Sequence, residues 1–251
     1  MAKLTTINDP LKEEATPLGV LVNEEMFGLA PADRIGLMLV FGRSGQGKTV
    51  NLVVQAVSDI VHGRGGILID PYGDIIEEVK KYIPAEQKDK VATFEVTKGN
   101  LEDNVKRFEQ EIHLGEMKAD SQKFLLCNLS YTLIGPHAAR DFGLYLLNEF
   151  YKQVGGDGDM SNRALYIDEA HNFIDEESLP HILKSKEYKL PCVLSDQSLN
   201  YFSEDLMDQL LGATDHLVCY NVNKRTAKLL AEKMKLGVSA EDLQAIEKYK
   251  F

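Results

Sequence analysis

The run Gly42-Arg43-Ser44-Gly45-Gln46-Gly47-Lys48-Thr49 follows the pattern G-x-x-x-x-G-K-[ST]. It stands directly after the apolar stretch Ile35 to Phe41 and before a segment with apolar residues at helical spacing, Val50, Val53, Val54, Val57, Ile60 and Val61. In that setting the pattern predicts a loop whose backbone N–H groups converge on phosphate oxygens, aided by the positive end of the helix that follows. Gly42, Ser44, Gly45, Gln46 and Gly47 would form the cradle, Lys48 would reach the outer phosphates, and the Thr49 hydroxyl would ligate Mg2+. A second cluster, Asp168-Glu169, ends the apolar run Arg163 to Ile167. Hydrolysis of a phosphoanhydride needs a carboxylate that holds the metal ion through water and another that polarises the attacking water. Asp168 suits the first role and Glu169 the second, which points to ATP with Mg2+ and to turnover rather than a passive switch.

Two further positions end apolar runs in the same way. Asp70 closes Gly66-Ile67-Leu68-Ile69, where ligands bind in open α/β sheets, although a Pro-Gly turn with Asp74 capping the next helix accounts for the same residues. Gln197 follows Cys192-Val193-Leu194-Ser195-Asp196 and could sense the γ-phosphate, or simply open the next helix.

These residues need a scaffold that brings strand ends together. Continuous apolar runs predict strands at 19–22, 35–41, 66–70, 91–95, 123–129, 163–168, 192–195 and 216–222. Helical patterns predict helices at 47–62, 74–82, 101–111, 137–153, 177–187, 206–211, 224–234 and 240–248. The alternation implies an α/β fold, a RecA-like P-loop NTPase core with a mainly parallel sheet and helices on both faces. Residues 1–33 read as an irregular lead-in with one short strand, and 34–251 as one ATPase domain. The glycine-rich stretch Val154 to Asp159 reads as a loop.

Composition limits the partners. The 251-residue chain is 44% hydrophobic and 27% charged, with no apolar run long enough to span a membrane. Cys127, Cys192 and Cys219 each lie in apolar runs, which reads as reduced, buried thiols in a cytoplasmic protein. The net charge of −11 disfavours a general nucleic-acid coat and confines any such contact to a few basic loops or a central pore.

The motifs together resemble the FtsK–HerA superfamily of DNA-pumping ATPases, nearest its conjugation-related and HerA-like branch. The likeness runs over roughly 18–235. It rests on Asp33-Arg34, the phosphate loop, the run from His62-Gly63-Arg64-Gly65-Gly66 to Asp70-Pro71-Tyr72-Gly73-Asp74, and Leu126-Cys127-Asn128-Leu129-Ser130. It continues through Asp168-Glu169-Ala170-His171-Asn172-Phe173, Leu194-Ser195-Asp196-Gln197, Leu211-Gly212-Ala213-Thr214 and Lys224-Arg225-Thr226-Ala227. The resemblance implies a ring, usually a hexamer of this chain with itself, that moves double-stranded DNA through its pore. It matches Lys48 and Thr49 to the Walker A pair, Asp168 and Glu169 to Walker B, and Gln197 to the sensor glutamine. Many relatives carry His where Tyr72 stands. Their inter-subunit arginine falls at Lys186, which offers charge without a bidentate fork, with Arg140, Arg163 and Arg225 as substitutes. The absence of transmembrane helices, an all-α insertion or a barrel favours a genome-packaging ATPase that docks on a portal, capsid or membrane partner, over a conjugative motor.

Rival classes fail on missing parts. A GTPase needs Asn-Lys-x-Asp, and Asn223-Lys224-Arg225-Thr226 lacks the Asp; no Leu-Ser-Gly-Gly-Gln string marks an ABC ATPase; seven scattered arginines make no kinase lid. An ATP-driven assembly switch without DNA remains the alternative. Basic clusters at Lys80-Lys81, at Lys184, Lys186 and Lys189, and at Lys224-Arg225, Lys228, Lys233 and Lys235 are weak candidates for DNA contacts, since such charges on amphipathic helices usually form a solvated face.

Overall fold

A computed structural model describes residues 4–10, 12–21, 23–154, 159–234 and 237–251. Three short strands, β1 (Leu4–Ile7), β2 (Thr16–Val20) and β3 (Met26–Leu29), form an antiparallel sheet in the order β1-β3-β2. The lead-in therefore carries three strands where one was expected. Part of the expected strand at 19–22 is β2; Val22 lies outside the described residues.

The main sheet has seven strands: β4 (Gly36–Phe41), β5 (Gly65–Asp70), β6 (Val91–Glu95), β7 (Phe124–Asn128), β8 (Arg163–Ile167), β9 (Pro191–Asp196) and β10 (Thr214–Cys219). Their order is β10-β4-β9-β8-β5-β7-β6 and every pairing is parallel. All residues of β4, β5, β8 and β9 are buried, as two-sided coverage of apolar runs requires. The expected α/β architecture is the one observed.

One face carries α1 (Lys48–Val61), α2 (Asp74–Tyr82) and the small sheet, packed through Leu29, Leu52, Ile60, Ile76 and Val79 on Met38, Val40, Leu68 and Tyr166. The other carries α3 (Leu101–Glu111), α4 (Leu114–Ala119), α6 (Pro136–Val154), α7 (Leu179–Leu183), α8 (Glu204–Ala213), α9 (Lys224–Met234) and α10 (Ala240–Ala245). The short α5 (Tyr131–Ile134) precedes α6. Phe94, Phe108 and Phe142 meet edge to face at 5.1–5.8 Å between ring centroids, holding α3 and α6 on the sheet. Side-chain caps start α3 (Asn100), α8 (Ser203) and α10 (Ser239, in a reciprocal box with Asp242).

The helix expected at 177–187 shrinks to α7, which leaves Lys186 in the turn behind it. The last helix stops at Ala245 instead of Lys248, and the chain turns back over the phosphate loop. The loop expected at Val154 to Asp159 falls mostly on 155–158, outside the described residues, as does Lys235.

A buried ion network stitches the two sheets. Asp59 of α1, fully buried, accepts from Arg34 ahead of β4, from Arg64 ahead of β5 (2.7 Å) and from the Tyr166 hydroxyl of β8 (2.6 Å). Arg64 also donates to the Glu14 carbonyl at 3.1 Å, fastening the segment before β2. Burial disfavours the Asp59 charge, but the two guanidinium groups outweigh it and hold its carboxyl below the ordinary range.

Candidate functional site

Parallel pairing puts the carboxyl ends of β4, β9, β8, β5 and β7 along one edge, and the predicted chemistry collects there. The phosphate loop leaves β4, and the Gly42 amide donates to the Asp196 carbonyl (3.2 Å) while the Arg43 amide donates to that of Asn221 (2.9 Å). The loop is thus pinned to β9 on one side and to the exit of β10 on the other. Gly45 and Gly47 have φ of +72° and +126°, a region that glycine enters without penalty. Gly47 is the N-cap of α1, no side chain caps it, and no acid sits in the first turn, so the helix start is free to receive an anion. Ser44, Gly45 and Thr49 are exposed, Gln46 is half-buried, and Lys48 is buried beneath the loop.

Asp168 lies just past β8, its amide donating to the Ile69 carbonyl of β5 at 3.1 Å. It is 8% exposed, and burial pushes its carboxyl up to about 7; the neighbouring charges of Glu169 and Asp70 add to this, and Lys48 opposes it. Glu169 is buried in a left-handed conformation (φ 46°, ψ 53°), which costs a non-glycine residue about 1 kcal/mol or more. The strained turn aims its carboxylate at Gln197, whose amide nitrogen donates to Oε1 at 2.7 Å. Burial raises the Glu169 pKa and the Gln197 bond opposes that rise. The predicted base and the predicted sensor, 28 residues apart, are direct partners.

A hub that sequence reading missed holds this pair. Asp196, 2% exposed at the end of β9, accepts from the Gln197 amide (2.7 Å) and the Ser198 amide (3.3 Å) with one oxygen. Its other oxygen takes the His171 amide (2.9 Å) and contacts His171 Nδ1 at 2.8 Å. Burial works against a His171 cation, but Asp196 and Glu169 prevail and hold its pKa above the ordinary range. The ligand atoms of Glu169, His171 and Asp196 lie within 4.8 Å of one another, close enough to hold an ion, but the His171–Asp196 contact already occupies this group. The Tyr201 ring covers His171 at 4.4 Å between centroids. His171 and Asp196 sit inside the quoted motifs, and only the fold shows that they meet.

Asp70 is at the same edge, as expected, with its oxygens committed to backbone. Oδ1 accepts from the Tyr72 amide (2.8 Å), and Oδ2 from those of Ile75 (2.9 Å) and Ile76 (3.3 Å). Asp70, not Asp74, therefore caps α2; the N-cap position is Gly73, which offers no side chain. Burial raises the Asp70 pKa against those amides. Tyr72 and Tyr131 meet edge to face at 5.4 Å beside the acids, and the buried Tyr131 hydroxyl has no hydrogen-bond partner among the described residues.

The remaining basic residues divide by edge. Lys186 binds Asp215 at 2.6 Å, and Asp215 accepts from the Leu37 amide (3.2 Å) at the start of β4. That is the opposite end of the strand from the phosphate loop, roughly 15 Å away at about 3.3 Å per residue. At that edge Lys186 lies out of reach of its own chain's phosphate loop. Arg163 is buried at the same far edge, donating to the Met117 carbonyl at 2.7 Å. Arg140 stands at the site's edge, held by the Asn172 carbonyl (2.9 Å) and Asp175 (3.2 Å). Arg225 is exposed at the start of α9. Of the predicted basic clusters, Lys80, Lys81, Lys189, Lys228 and Lys233 pair with acids. Lys184, Lys224 and Arg225 carry no ion pair among the described residues.

No family profile and no curated protein sequence matches the chain. Solved structures do. VirB4 of Thermoanaerobacter pseudethanolicus superimposes with a TM-score of 0.68 at 12% identity, over 97% of this chain and 93% of that one. The bacterial conjugative coupling protein TrwB, lacking its first 70 residues, gives 0.66 at 13% identity, over 98% and 89%. The genome packaging NTPase B204 of Sulfolobus turreted icosahedral virus 2, bound to ATP-γS, gives 0.52 at 14% identity, over 86% and 89%. The chain accordingly shares the RecA-like P-loop NTPase fold of these structures, a parallel α/β sheet with the phosphate loop leaving β4.

Proposed function

We propose that this chain is an ATP-hydrolysing motor that translocates double-stranded DNA, in the manner of a genome-packaging ATPase. The observation that carries the reading is the Glu169–Gln197 pair, held by Asp196 at the edge where the phosphate loop opens. A buried carboxylate aimed by strain and by a sensor amide suits a site that turns over. The similar structures include a genome packaging NTPase and a conjugative coupling protein, which supports DNA as the cargo.

Asp168 and Glu169 are buried acids whose pKa values burial raises, so the pocket offers hard oxygen donors whose ionised form a bound cation would stabilise. That donor set fits Mg2+, with the Thr49 hydroxyl and, through water, Asp168 as its holders. When bound, Mg2+ would neutralise charge on the β- and γ-phosphates. Loop amides and Lys48 hold the triphosphate. Glu169 orients the attacking water and accepts its proton. A basic residue of a neighbouring subunit, at Lys186 or Arg225, stabilises the charge on the transferred phosphoryl group.

Loss of the γ-phosphate frees Glu169 and changes its bond to Gln197. The next residue, Ser198, shares hydrogen bonds with Thr226 (3.0 Å) and Asn223 (2.9 Å), which fastens the sensor loop to the start of α9. Lys224 and Arg225 begin that helix with no acid holding them among the described residues, so a shift there moves two exposed cations suited to a phosphate backbone. A homo-oligomeric ring multiplies each such contact, which reconciles DNA binding with a net charge of −11.

The test is steady-state ATP hydrolysis with and without long double-stranded DNA at low salt, in wild type and Glu169→Gln. The expected result is DNA-stimulated turnover that falls at least about 100-fold in the variant while ATP binding persists. Hydrolysis indifferent to DNA would favour an ATP-driven assembly switch. Wild-type rates in Glu169→Gln would remove Glu169 as the base.

A further inference from the structure

Beside the phosphate loop lies a cavity of about 370 Å³ that none of the predicted site residues except Gly47 touches. Its lining includes Val50 and Val54 of α1, Leu18 of β2, and the rings of Tyr220, Tyr249 and Phe251. The lining is mainly apolar, and Val50, Val54, Tyr249 and Phe251 are exposed large hydrophobic residues. Three aromatic rings around an open apolar cavity are suited to a flat heterocycle.

The segment that brings two of these rings is held in place. Asn221 Nδ2 donates to the Ile246 carbonyl at 3.1 Å, which stops α10 and directs the chain toward the loop. The Lys250 amide closes a turn on the Glu247 carbonyl (3.0 Å), and the Tyr249 amide donates to the Gln46 carbonyl of the phosphate loop (3.1 Å). Phe251 then packs on Tyr220 (5.3 Å between centroids) and Phe27 (5.9 Å). It lies against Gly19, where a Cβ would come within 2.6 Å of its ring, so the small sheet leaves room for this side chain.

We infer that this cavity is the seat of the nucleobase, and that residues 247–251 together with the small amino-terminal sheet form it. The inference rests on the nucleotide reading of the phosphate loop. A triphosphate laid on Gly42–Thr49 and the start of α1 extends its ribose and base away from the acids. The cavity meets the loop at Gly47, on the side turned toward β10, where Tyr220 ends the strand exit. The base is held as a planar ring, by stacking and apolar contact on Tyr220, Tyr249 and Phe251, and through it the nucleotide couples residues 247–251 to the lead-in strands.

The test is calorimetric titration of the full chain, in Mg2+ buffer, with ATP and separately with inorganic tripolyphosphate, which fills the loop but has no base. Two variants act on the cavity by different routes: Tyr249→Ala/Phe251→Ala removes the rings, and Val54→Trp fills the space and leaves the rings in place. The expected result is an ATP affinity lowered about tenfold in each, about 1.4 kcal/mol, with tripolyphosphate affinity unchanged. ATP binding unaltered in both variants, or ATP and tripolyphosphate weakened together, would overturn the assignment. So would a wild-type chain that binds ATP no tighter than tripolyphosphate, a result that leaves the loop assignment standing. A wild-type chain that binds neither would refute the nucleotide reading itself and this site with it.

Discussion

Asp168→Asn should make the metal-free protein more stable. The carboxyl is 8% exposed and its pKa stands at about 7 against an ordinary 3.8, with burial as the main cause. The folded chain therefore holds this proton more tightly than the unfolded chain. As pH rises from about 4 to about 7 the folded carboxyl must ionise in a buried, acid-rich setting, and stability falls through that window. Above pH 7 the cost levels off at about 4 kcal/mol, taking about 1.36 kcal/mol per pH unit. An amide has no charge to bury, so urea denaturation in EDTA at pH 8 should find the variant about 2–4 kcal/mol more stable than wild type. At pH 5 the gap should shrink to about 1–2 kcal/mol. Mg2+ and ATP at about 1,000 times Kd should close the gap, since ligand at that excess stabilises wild type by about 4.1 kcal/mol and the variant loses its metal-holding oxygen. A wild type more stable than Asp168→Asn in EDTA at pH 8, or a gap that does not widen between pH 5 and pH 8, would refute the account of Asp168 as an uncompensated buried acid awaiting a cation.

Lys48→Ala should weaken ATP binding by about tenfold or more, read by titration, because the buried ammonium is the nearby cation facing the acids and the outer phosphates. Gln197→Ala should leave ATP affinity near wild type and lower kcat about 10–100-fold, since Glu169 loses the 2.7 Å bond that aims it. Asp196→Asn should lower both kcat and stability: the buried amides of Gln197, Ser198 and His171 donate to this carboxylate, and an amide NH2 must face some of them, at about 2–4 kcal/mol in a urea melt.

Much of the fold is legible along the chain because its rules are local. Ile67-Leu68-Ile69 and Leu125-Leu126-Cys127 are runs that only two-sided burial explains, and both are inner strands. The amino-terminal sheet escaped because its strands are only four or five residues long, the apolar Leu4 and Val20 are exposed, and Pro17 and Gly19 interrupt β2. The helix expected at 177–187 failed through its charged second half. Lys184, Lys186 and Glu187 are exposed, while Ser185 turns its hydroxyl to the Ile182 carbonyl (2.6 Å) and breaks the pattern. The last helix ended early because Asn221, distant in sequence, takes its closing carbonyls.

By itself the sequence determined the phosphate loop, the strand that launches it and the acids that end β8. Glycine freedom, a lysine and a hydroxyl at set spacing, and apolar periodicity are properties of short segments. Tertiary structure alone decided which residues serve those acids. It joined Glu169 to Gln197 through Asp196, turned Asp70 from a ligand candidate into a helix cap, and sent Lys186 to the far edge. It also folded Tyr249 and Phe251 back onto the loop beside Gly47. Apart from the Asp70 cap and the Asp196–Gln197 contact, which are local, those partnerships join residues tens to hundreds of positions apart, and their energies depend on burial, which exists only once the sheet has closed against its helices.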